Sequence, residues 1–486
     1  VETGKAGDRV AIILDKTNYY AKSGGQTFDT GSVLNQGDHQ VIFSVEDVKV
    51  QAGYVTLVGE VKGTISVGQK VISSPDFERR APIASNHTST HLLNWALRQA
   101  VSADCNQEGS EVGPDSLRFD FSNRQALSVD TIREIERLVQ DQIDRQLPVN
   151  TTLVNLEEAL TVETLRKLKG KAYHNPARMV SIGVDADTLI ATPSNPEWMN
   201  YSVEFCGGTH LPNTSVAKRF RILSETGIAN GIRRIVAVTG AVAEEVTAYA
   251  ASILQEQQQA LETGDEDTIR AMQNKVAAIL RGGASASSTG NSDASGSSDA
   301  VAQSEEENPS SAAGPSTCSA GRLPTLERAE IAEQQKKLLS KLKEFRNERL
   351  KRLSEELQES TKVAALQCKE KGEPFLVLSL EFTPDKKVLD SVLNGVCPLL
   401  SDEDKGAAML VCADPDSDKV QVHAQVSSGA LSCLKASEWV ACALSPLGGR
   451  GGGRPNRAQG SGAGPHLIPT ALEEASQFAR QALSLP

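Results

Sequence analysis

A chain that carries HxxxH in one place and CxxxH far downstream must fold so that the two meet, if the four side chains share one purpose. SNHTSTHLL places His87 and His91 four residues apart, and EFCGGTH does the same for Cys206 and His210. On a helix, positions i and i+4 share a face, so both imidazoles of the first pair reach one point. In the second pair, Gly207 and Gly208 permit a tight turn that brings thiolate and imidazole together. Three histidines and one cysteine form a borderline-soft set of nitrogen and sulfur donors suited to tetrahedral zinc. The bland alternative is two unrelated helical histidines and a buried cysteine. The double pairing takes three of the chain's seven histidines and favours a single zinc ion.

Composition excludes several classes. A formal charge of −12 argues against a globally basic nucleic-acid binder, although local basic patches still decide contacts. The eight cysteines are sparse and form no dense short-range framework, which points to a reducing compartment rather than to disulfides. No apolar run approaches ~20 residues, so no membrane span is expected. The opening residues VETGKAGDRV read as neither a signal peptide nor a typical transit peptide, and the initial valine reads as the start of a fragment or processed piece.

Residues 1–80 contain the runs RVAIILD, VIFSVEDVKV, YVTLVGEV and QKVISS between Gly, Asp and Asn turns, which predicts a small antiparallel β-barrel or sheet. Gly24 and Gly25 before Gln26 make a loop whose backbone can approach a ligand closely, with an ordinary turn as the simpler account. Residues 81–240 form the zinc-containing domain. A helix capped near Ser85 or Asn86 carries His87, His91, Trp95 and Leu97. LRFDFS (117–122) alternates as a strand, 128–147 is an amphipathic helix, and RMVSIG (178–183) is a further strand followed by TLIAT. KRFRILSETGIANGIRRIVAVTG gives strand, turn and strand. Strands and helices that do not alternate strictly indicate the α+β class.

A helical linker follows over 241–281. The Ser/Gly-rich stretch 282–322 lacks a hydrophobic pattern and reads as a disordered insert. Residues 323–372 form a long helix, with Leu338, Leu342, Phe345, Leu350, Leu353 and Leu357 along one side, as a spacer or antiparallel coiled coil. A small α/β domain occupies 373–486, with strands PFLVLSLEF, AAMLVCAD and KVQVHAQV. Within it, SPLGGRGGGRPNRAQGSGAGP carries Arg450, Arg454 and Arg457, and no Asp or Glu occurs between Glu438 and Glu473. A flexible glycine-rich loop with local positive charge suits a phosphate backbone, and a floppy surface loop is the alternative. It is not a P-loop, since no Gly-Lys-Ser/Thr follows.

SGGQ at 23–26, HTSTH at 87–91, CGGTH at 206–210 and GGRGGGRPNRAQG at 448–460 stand together in order. This combination resembles the alanyl-tRNA synthetase family, downstream of its aminoacylation core, and SVEFCGGTHLPNTS and GIRRIVAVTG resemble its eukaryotic cytosolic type most. The resemblance covers nearly the whole chain apart from the Ser/Gly-rich insert. It implies an editing domain that hydrolyses mischarged seryl- and glycyl-tRNA(Ala), with one Zn2+ at His87, His91, Cys206 and His210. It implies that Thr90 senses the serine hydroxyl, that Gln107 is a pocket glutamine, and that Gly24, Gly25 and Gln26 line the pocket. It makes 373–486 a tRNA-binding domain, with Arg450, Arg454 and Arg457 as its candidate contacts. The parent protein is then a cytoplasmic or mitochondrial alanine–tRNA ligase, with ATP and Mg2+ used only in an upstream aminoacylation domain. No DNA or membrane partner is implied, and oligomerisation would run through the C-terminal region. Two departures stand out: KLKGKAYHNPARMVSIG is short for the family, and the low-complexity insert is unusual.

An aminoacyl ester needs an aligned water and stabilisation of the tetrahedral oxyanion. Zinc activates water only with an open coordination position, whereas four protein ligands suggest a closed site that shapes the pocket. Cys206 as a nucleophile competes with Cys206 as a ligand. Two other classes remain open: a freestanding trans-editing protein, and a non-catalytic zinc or tRNA-binding module.

Overall fold

The computed structural model describes residues 2–168, 170–285, 322–382, 384, 386–413 and 418–485. The expected disordered insert falls almost wholly outside the described residues. The chain divides into two compact units, Val1–Leu339 and Ser340–Pro486. Among the described residues, no helix is long and apolar enough to cross a membrane.

The first unit opens with β1 (Thr3–Lys5), β2 (Arg9–Ile13), β3 (Gly31–Asn35), β4 (Val41–Gln51), β5 (Tyr54–Val61), β6 (Thr64–Ser66) and β7 (Val71–Pro75). Alternating apolar positions bury Phe43, Val45, Val48, Leu57 and Val61 on one side. The strands pair as an antiparallel sheet in the order β2-β5-β4-β3-β7, while β1 pairs with β6. Of the barrel or sheet expected for this region, the strand order describes a five-stranded antiparallel sheet with β2 and β7 at its ends. The long β4 carries a bulge between Val45 and Asp47, which bends a strand without closing the sheet.

Helix α1 (Phe77–Ala100) starts earlier than the sequence suggests. Asp76 is the N-cap, its carboxylate accepting from Arg79 N at 3.0 Å. Ser85 and Asn86, which look like cap residues, lie inside the helix and are buried. Their polarity is satisfied laterally. Ser85 Oγ meets Thr239 Oγ1 at 2.8 Å, that hydroxyl is 2.8 Å from Asn86 Oδ1, and Asn86 Nδ2 donates to Gly113 O at 2.9 Å. The helix start is tied back to the first sheet by Arg80, which pairs with buried Asp29 at 2.6 Å.

Beyond α1 come β8 (Gln107–Val112), β9 (Leu117–Ser122), α2 (Val129–Asp144), β10 (Val149–Val154), α3 (Leu156–Ala159), β11 (Ala177–Ile182), α4 (Ala186–Ala191), β12 (Ser202–Phe205), β13 (Phe220–Ala229) and β14 (Ile232–Thr239). The TLIA segment that follows β11 lies in α4, capped by Asp185. One antiparallel sheet runs β13-β14-β9-β8, another β10-β11-β12. Leu92, Leu93 and Leu97 of α1 join Phe119, Phe121, Ile135, Val139, Phe220 and Ile235 in one core. Burial of each such side chain contributes about 1.5–3 kcal/mol, which fixes the rotation of α1 and hence where its histidines lie.

Helices α5 (Gly240–Thr263) and α6 (Glu266–Ser285) follow, then α7 (Thr325–Glu370). Buried Gln257 of α5 donates to Ile331 O at 3.1 Å.

The second unit contains β15 (Phe375–Leu380), α8 (Lys386–Val396), β16 (Ala407–Ala413), β17 (Lys419–Val426), α9 (Ala436–Leu444), β18 (Arg450–Arg454), β19 (Arg457–Ala463) and α10 (Ile468–Ala482). Its sheet runs β15-β16-β17-β19-β18, with β15 and β16 parallel and the other pairs antiparallel. Strand β16 is apolar on both faces because both are covered. Met409 and Val411 pack with Trp439 of α9 and Ala475 of α10, while Ala408, Leu410 and Cys412 pack with Leu389 and Leu393 of α8.

The glycine-rich stretch expected to be a flexible loop is the β18–β19 hairpin. Helix α9 lies directly on it: a Cβ added at Gly451 would come within 2.8 Å of Val440 Cγ1, and one at Gly460 within 2.3 Å of Leu444 Cδ1. The glycines permit close approach of helix and sheet here rather than backbone freedom.

Candidate metal centre

Helix α1 presents His87 and His91 from one face, each only 4 % exposed. Strand β12 ends at Phe205, so Cys206 and His210 sit in the turn that leaves it. One donor atom from each of His87, His91, Cys206 and His210 lies within 4.8 Å of every other. Cys206 Sγ is 3.4 Å from His87 Nε2 and 3.4 Å from His210 Nε2. These separations match the roughly 3.5 Å edge of a tetrahedron with ~2.3 Å sulfur and ~2.0 Å nitrogen bonds. His91 Nδ1 is buried without a hydrogen-bond partner. An orphaned nitrogen beside three other donors fits a cation held among them.

The surrounding groups fix the rings. Gln26 Oε1 lies 2.6 Å from His87 Nδ1 and also accepts from Thr209 N at 2.9 Å, while Gln26 Nε2 donates to Thr209 Oγ1 at 2.9 Å. Holding the proton of His87 on Nδ1 leaves Nε2 as the free donor atom next to the thiol. Thr88 Oγ1 lies 3.2 Å from His210 Nδ1 and accepts from Leu211 N at 3.1 Å, which orients the second ring. The turn itself hangs on Arg178, whose Nη1 donates to Cys206 O at 2.7 Å and Gly208 O at 2.9 Å. Gly208 cannot be replaced without displacement, because a Cβ there would lie 2.0 Å from His87 Cε1.

Burial governs the protonation states. Desolvation, then the neighbouring His91 and Arg178, holds His87 neutral, and desolvation with its histidine neighbours does so for His210. Desolvation, with Arg178, lowers His91 to about 3. Desolvation pushes the Cys206 thiol up to about 11, partly offset by Gly208 N, which donates to Sγ at 3.3 Å. Neutral imidazoles are the ligand form, and a cation would draw the thiol toward thiolate.

His87, His91 and Cys206 line a cavity of about 700 Å³ together with Gly24, Thr90 and Gln107, while His210 is not on its wall. Gly24 and Gly25 both take left-handed φ, +58° and +85°, and their turn is stitched to β8 by Val112 N donating to Gly25 O at 2.8 Å. Gln26 is not on the cavity wall but behind His87. Thr90 Oγ1 donates to Asn86 O at 2.8 Å, and Gln107 Nε2 donates to Ser110 Oγ at 3.0 Å. Thus the fold unites nine sequence-selected residues, with Gly25 and Gln26 in supporting positions. Arg450, Arg454 and Arg457 lie in the second unit. Arg450 and Arg454 are exposed, whereas Arg457 is held 3.1 Å from Asp390 Oδ1.

Three neighbours escaped the sequence reading. Arg178 had no motif. Asn94 lies one turn beyond Thr90, and that spacing was a usable signal. Glu204, two residues before Cys206, is buried, accepts from Asn94 Nδ2 at 2.9 Å and lies 3.7 Å from His91 Nε2.

With this geometry in view, comparison with known proteins is decisive. Residues 1–79 match the class II (A) tRNA synthetase model. Residues 177–236 match the second additional domain of threonyl and alanyl tRNA synthetases, and 372–483 match the DHHA1 domain. The cytoplasmic alanine–tRNA ligase of Caenorhabditis elegans is 34% identical over 489 residues, covering 99% of this chain and 46% of the relative. That of Bombyx mori is 33% identical over 493 residues, covering 99% and 46%. The mitochondrial alanine–tRNA ligase of Saccharomyces cerevisiae is 44% identical over 250 residues, covering 51% and 25%. The chain spans about half the length of the first two relatives. Fold and matches together define a class II aminoacyl-tRNA synthetase sequence. Within that class, the chain belongs to the alanyl-tRNA synthetase family.

Proposed function

We propose that this chain removes serine, and also glycine, from mischarged tRNA(Ala) at the centre formed by His87, His91, Cys206 and His210, with zinc as the resident ion. The observation that carries this reading is convergence: three of the four clustered donors, His87, His91 and Cys206, line one cavity with Gly24, Thr90 and Gln107. When bound, zinc supplies Lewis-acid charge beside the ester and, with an open position, an acidified water. The chain's own residues do the selecting. Thr90 Oγ1 gives its proton to Asn86 O and keeps lone pairs to accept from a serine hydroxyl. Alanine brings no hydroxyl to this position, and each buried polar group left unpaired costs about 1–3 kcal/mol, which separates serine from alanine; glycine also lacks the hydroxyl, so its removal does not run through Thr90. Cys206 sits between two imidazoles with its sulfur accepting from Gly208 N, a setting that suits a ligand better than a nucleophile.

The same reading places this activity within a cytoplasmic alanine–tRNA ligase whose ATP- and Mg2+-dependent aminoacylation resides in sequence outside these 486 residues. The second unit is the tRNA-binding partner of the editing site, with Arg450 and Arg454 exposed on its glycine hairpin. The test is deacylation of seryl-, glycyl- and alanyl-tRNA(Ala) by the chain. Hydrolysis of the first two with alanyl-tRNA spared is expected. Equal rates on seryl- and alanyl-tRNA, or none above background, would overturn the proposal.

A further inference from the structure

The cavity has a cationic edge that the metal centre does not use. Arg166, Lys167 and Lys171 all line it, on the loop between α3 and β11. In a chain of net charge −12 with 62 acidic residues, basic side chains on a surface commonly find a carboxylate. None of these three has an ion pair among the described residues, and Lys167 and Lys171 are exposed. The carboxylates lining the cavity are Glu108 and Glu204, and Glu204 is occupied by Asn94.

The described residues of the loop are bonded into the fold. Arg166 N donates to Val203 O at 2.8 Å and Phe205 N donates to Arg166 O at 3.0 Å, so its first residue is bonded into β12 just ahead of Cys206. Leu168 N donates to Tyr173 Oη at 2.9 Å, and the Tyr173 ring packs on Phe205 with centroids 4.8 Å apart. Lys171 N closes a turn onto Leu168 O at 3.3 Å, Gly170 takes φ +76°, and Lys171 Nζ stands 5.6 Å over the Tyr173 ring. Two ring contacts and three backbone bonds thereby tie the described residues of the loop to the rim, with no carboxylate partner for their cations.

We infer that Arg166, Lys167 and Lys171 form a phosphate-binding rim that grips the single-stranded 3′ end of an RNA whose terminal ester enters the cavity. The inference rests on the editing reading for the identity of that ester, but not for the RNA contact itself. Cations without a carboxylate partner at a cavity rim fit backbone phosphates, and such contacts confer affinity without sequence preference. The rim also explains how an acidic protein admits an anionic substrate to a site with two carboxylates on its wall.

The experiment is fluorescence anisotropy of the full chain with a labelled four-nucleotide RNA ending in CCA, titrated at several salt concentrations. Arg166→Gln, Lys167→Gln and Lys171→Gln together should weaken binding at least about tenfold and lower the log–log salt slope by roughly two, at ~0.7 per single-strand phosphate. The Lys167→Gln, Lys171→Gln pair, both exposed, should give a smaller loss of the same kind and guards against misfolding through Arg166. In parallel, kcat/KM is compared on seryl-tRNA and on phosphate-free seryl-adenosine. The triple variant should lose at least about tenfold more on the tRNA. Unaltered affinity and salt slope in both variants would overturn the rim. If the parent chain hydrolyses neither ester, the editing reading falls, while the anisotropy still decides the rim.

Discussion

The carboxamide oxygen of Gln26 sits 2.6 Å from Nδ1 of His87, joining a loop of the first sheet to the helix that carries the metal donors. The bond fixes which ring nitrogen is protonated and therefore which one is available as a ligand. Loss of such a supporting partner typically lowers metal affinity about 10–100-fold. Gln26→Ala should show this in a zinc competition titration against a chromophoric chelator, with far-UV circular dichroism preserved. Affinity equal to the parent chain would remove Gln26 from this role.

Zinc should be present at one ion per chain. Cys206→Ala combined with His210→Ala should reduce it to near zero by elemental analysis, and chelation of the parent should lower its melting temperature by mass action. Stoichiometric zinc retained in the double variant would refute the four-donor assignment.

Thr90→Val keeps the shape and removes the hydroxyl that donates to Asn86 O. Slower hydrolysis of seryl-tRNA is expected, with zinc content unchanged. Discrimination between seryl- and alanyl-tRNA should narrow by about 1–3 kcal/mol, or roughly 5–150-fold. The ratio of the two kcat/KM values is the measurement, and an unmoved ratio would acquit Thr90.

Arg450 and Arg454 protrude from a rigid hairpin. Replacing both with alanine should weaken tRNA binding and reduce its salt slope by about one counterion per lost contact. Arg457→Ala should have the smaller effect on affinity, because its guanidinium is engaged by Asp390 Oδ1 and the Asp390 carbonyl. A titration across salt concentrations separates the two expectations.

Glu136 of α2 is buried, and desolvation raises its carboxyl to about 7, with Glu327 adding to the rise while Ile222 N and Arg221 oppose it. A folded-state pKa above the unfolded one means that the neutral acid is favoured in the native protein. Its stabilising share is complete below about 4.3 and is lost as pH rises toward 7. Glu136→Gln should flatten this decline, read by denaturant unfolding between about pH 4.5 and 7. An identical slope in parent and variant would show that Glu136 does not set it.

The donors were legible because their spacing is local: i and i+4 on a helix, and four residues across a Gly-Gly turn. Partners supplied from elsewhere were not. Arg178 acts through carbonyls, which carry no sequence mark, and Glu204 looks like any strand carboxylate. The helix start was misread because Ser85 and Asn86 resemble a cap, while their real bonds run sideways to Thr239 and Gly113. The glycine hairpin read as a loop because composition reports the freedom of glycine and is silent on the helix pressed against it.

His87 and Cys206 are separated by 119 residues, yet their donor atoms end 3.4 Å apart. No short segment of the chain holds a complete coordination set, so closing that span carries a loop-entropy cost before any metal bond can form. On the proposed zinc reading, ion capture would report finished folding of the first unit rather than seed it. During refolding with cobalt as a coloured surrogate, the thiolate absorption band should grow in after the far-UV helical signal.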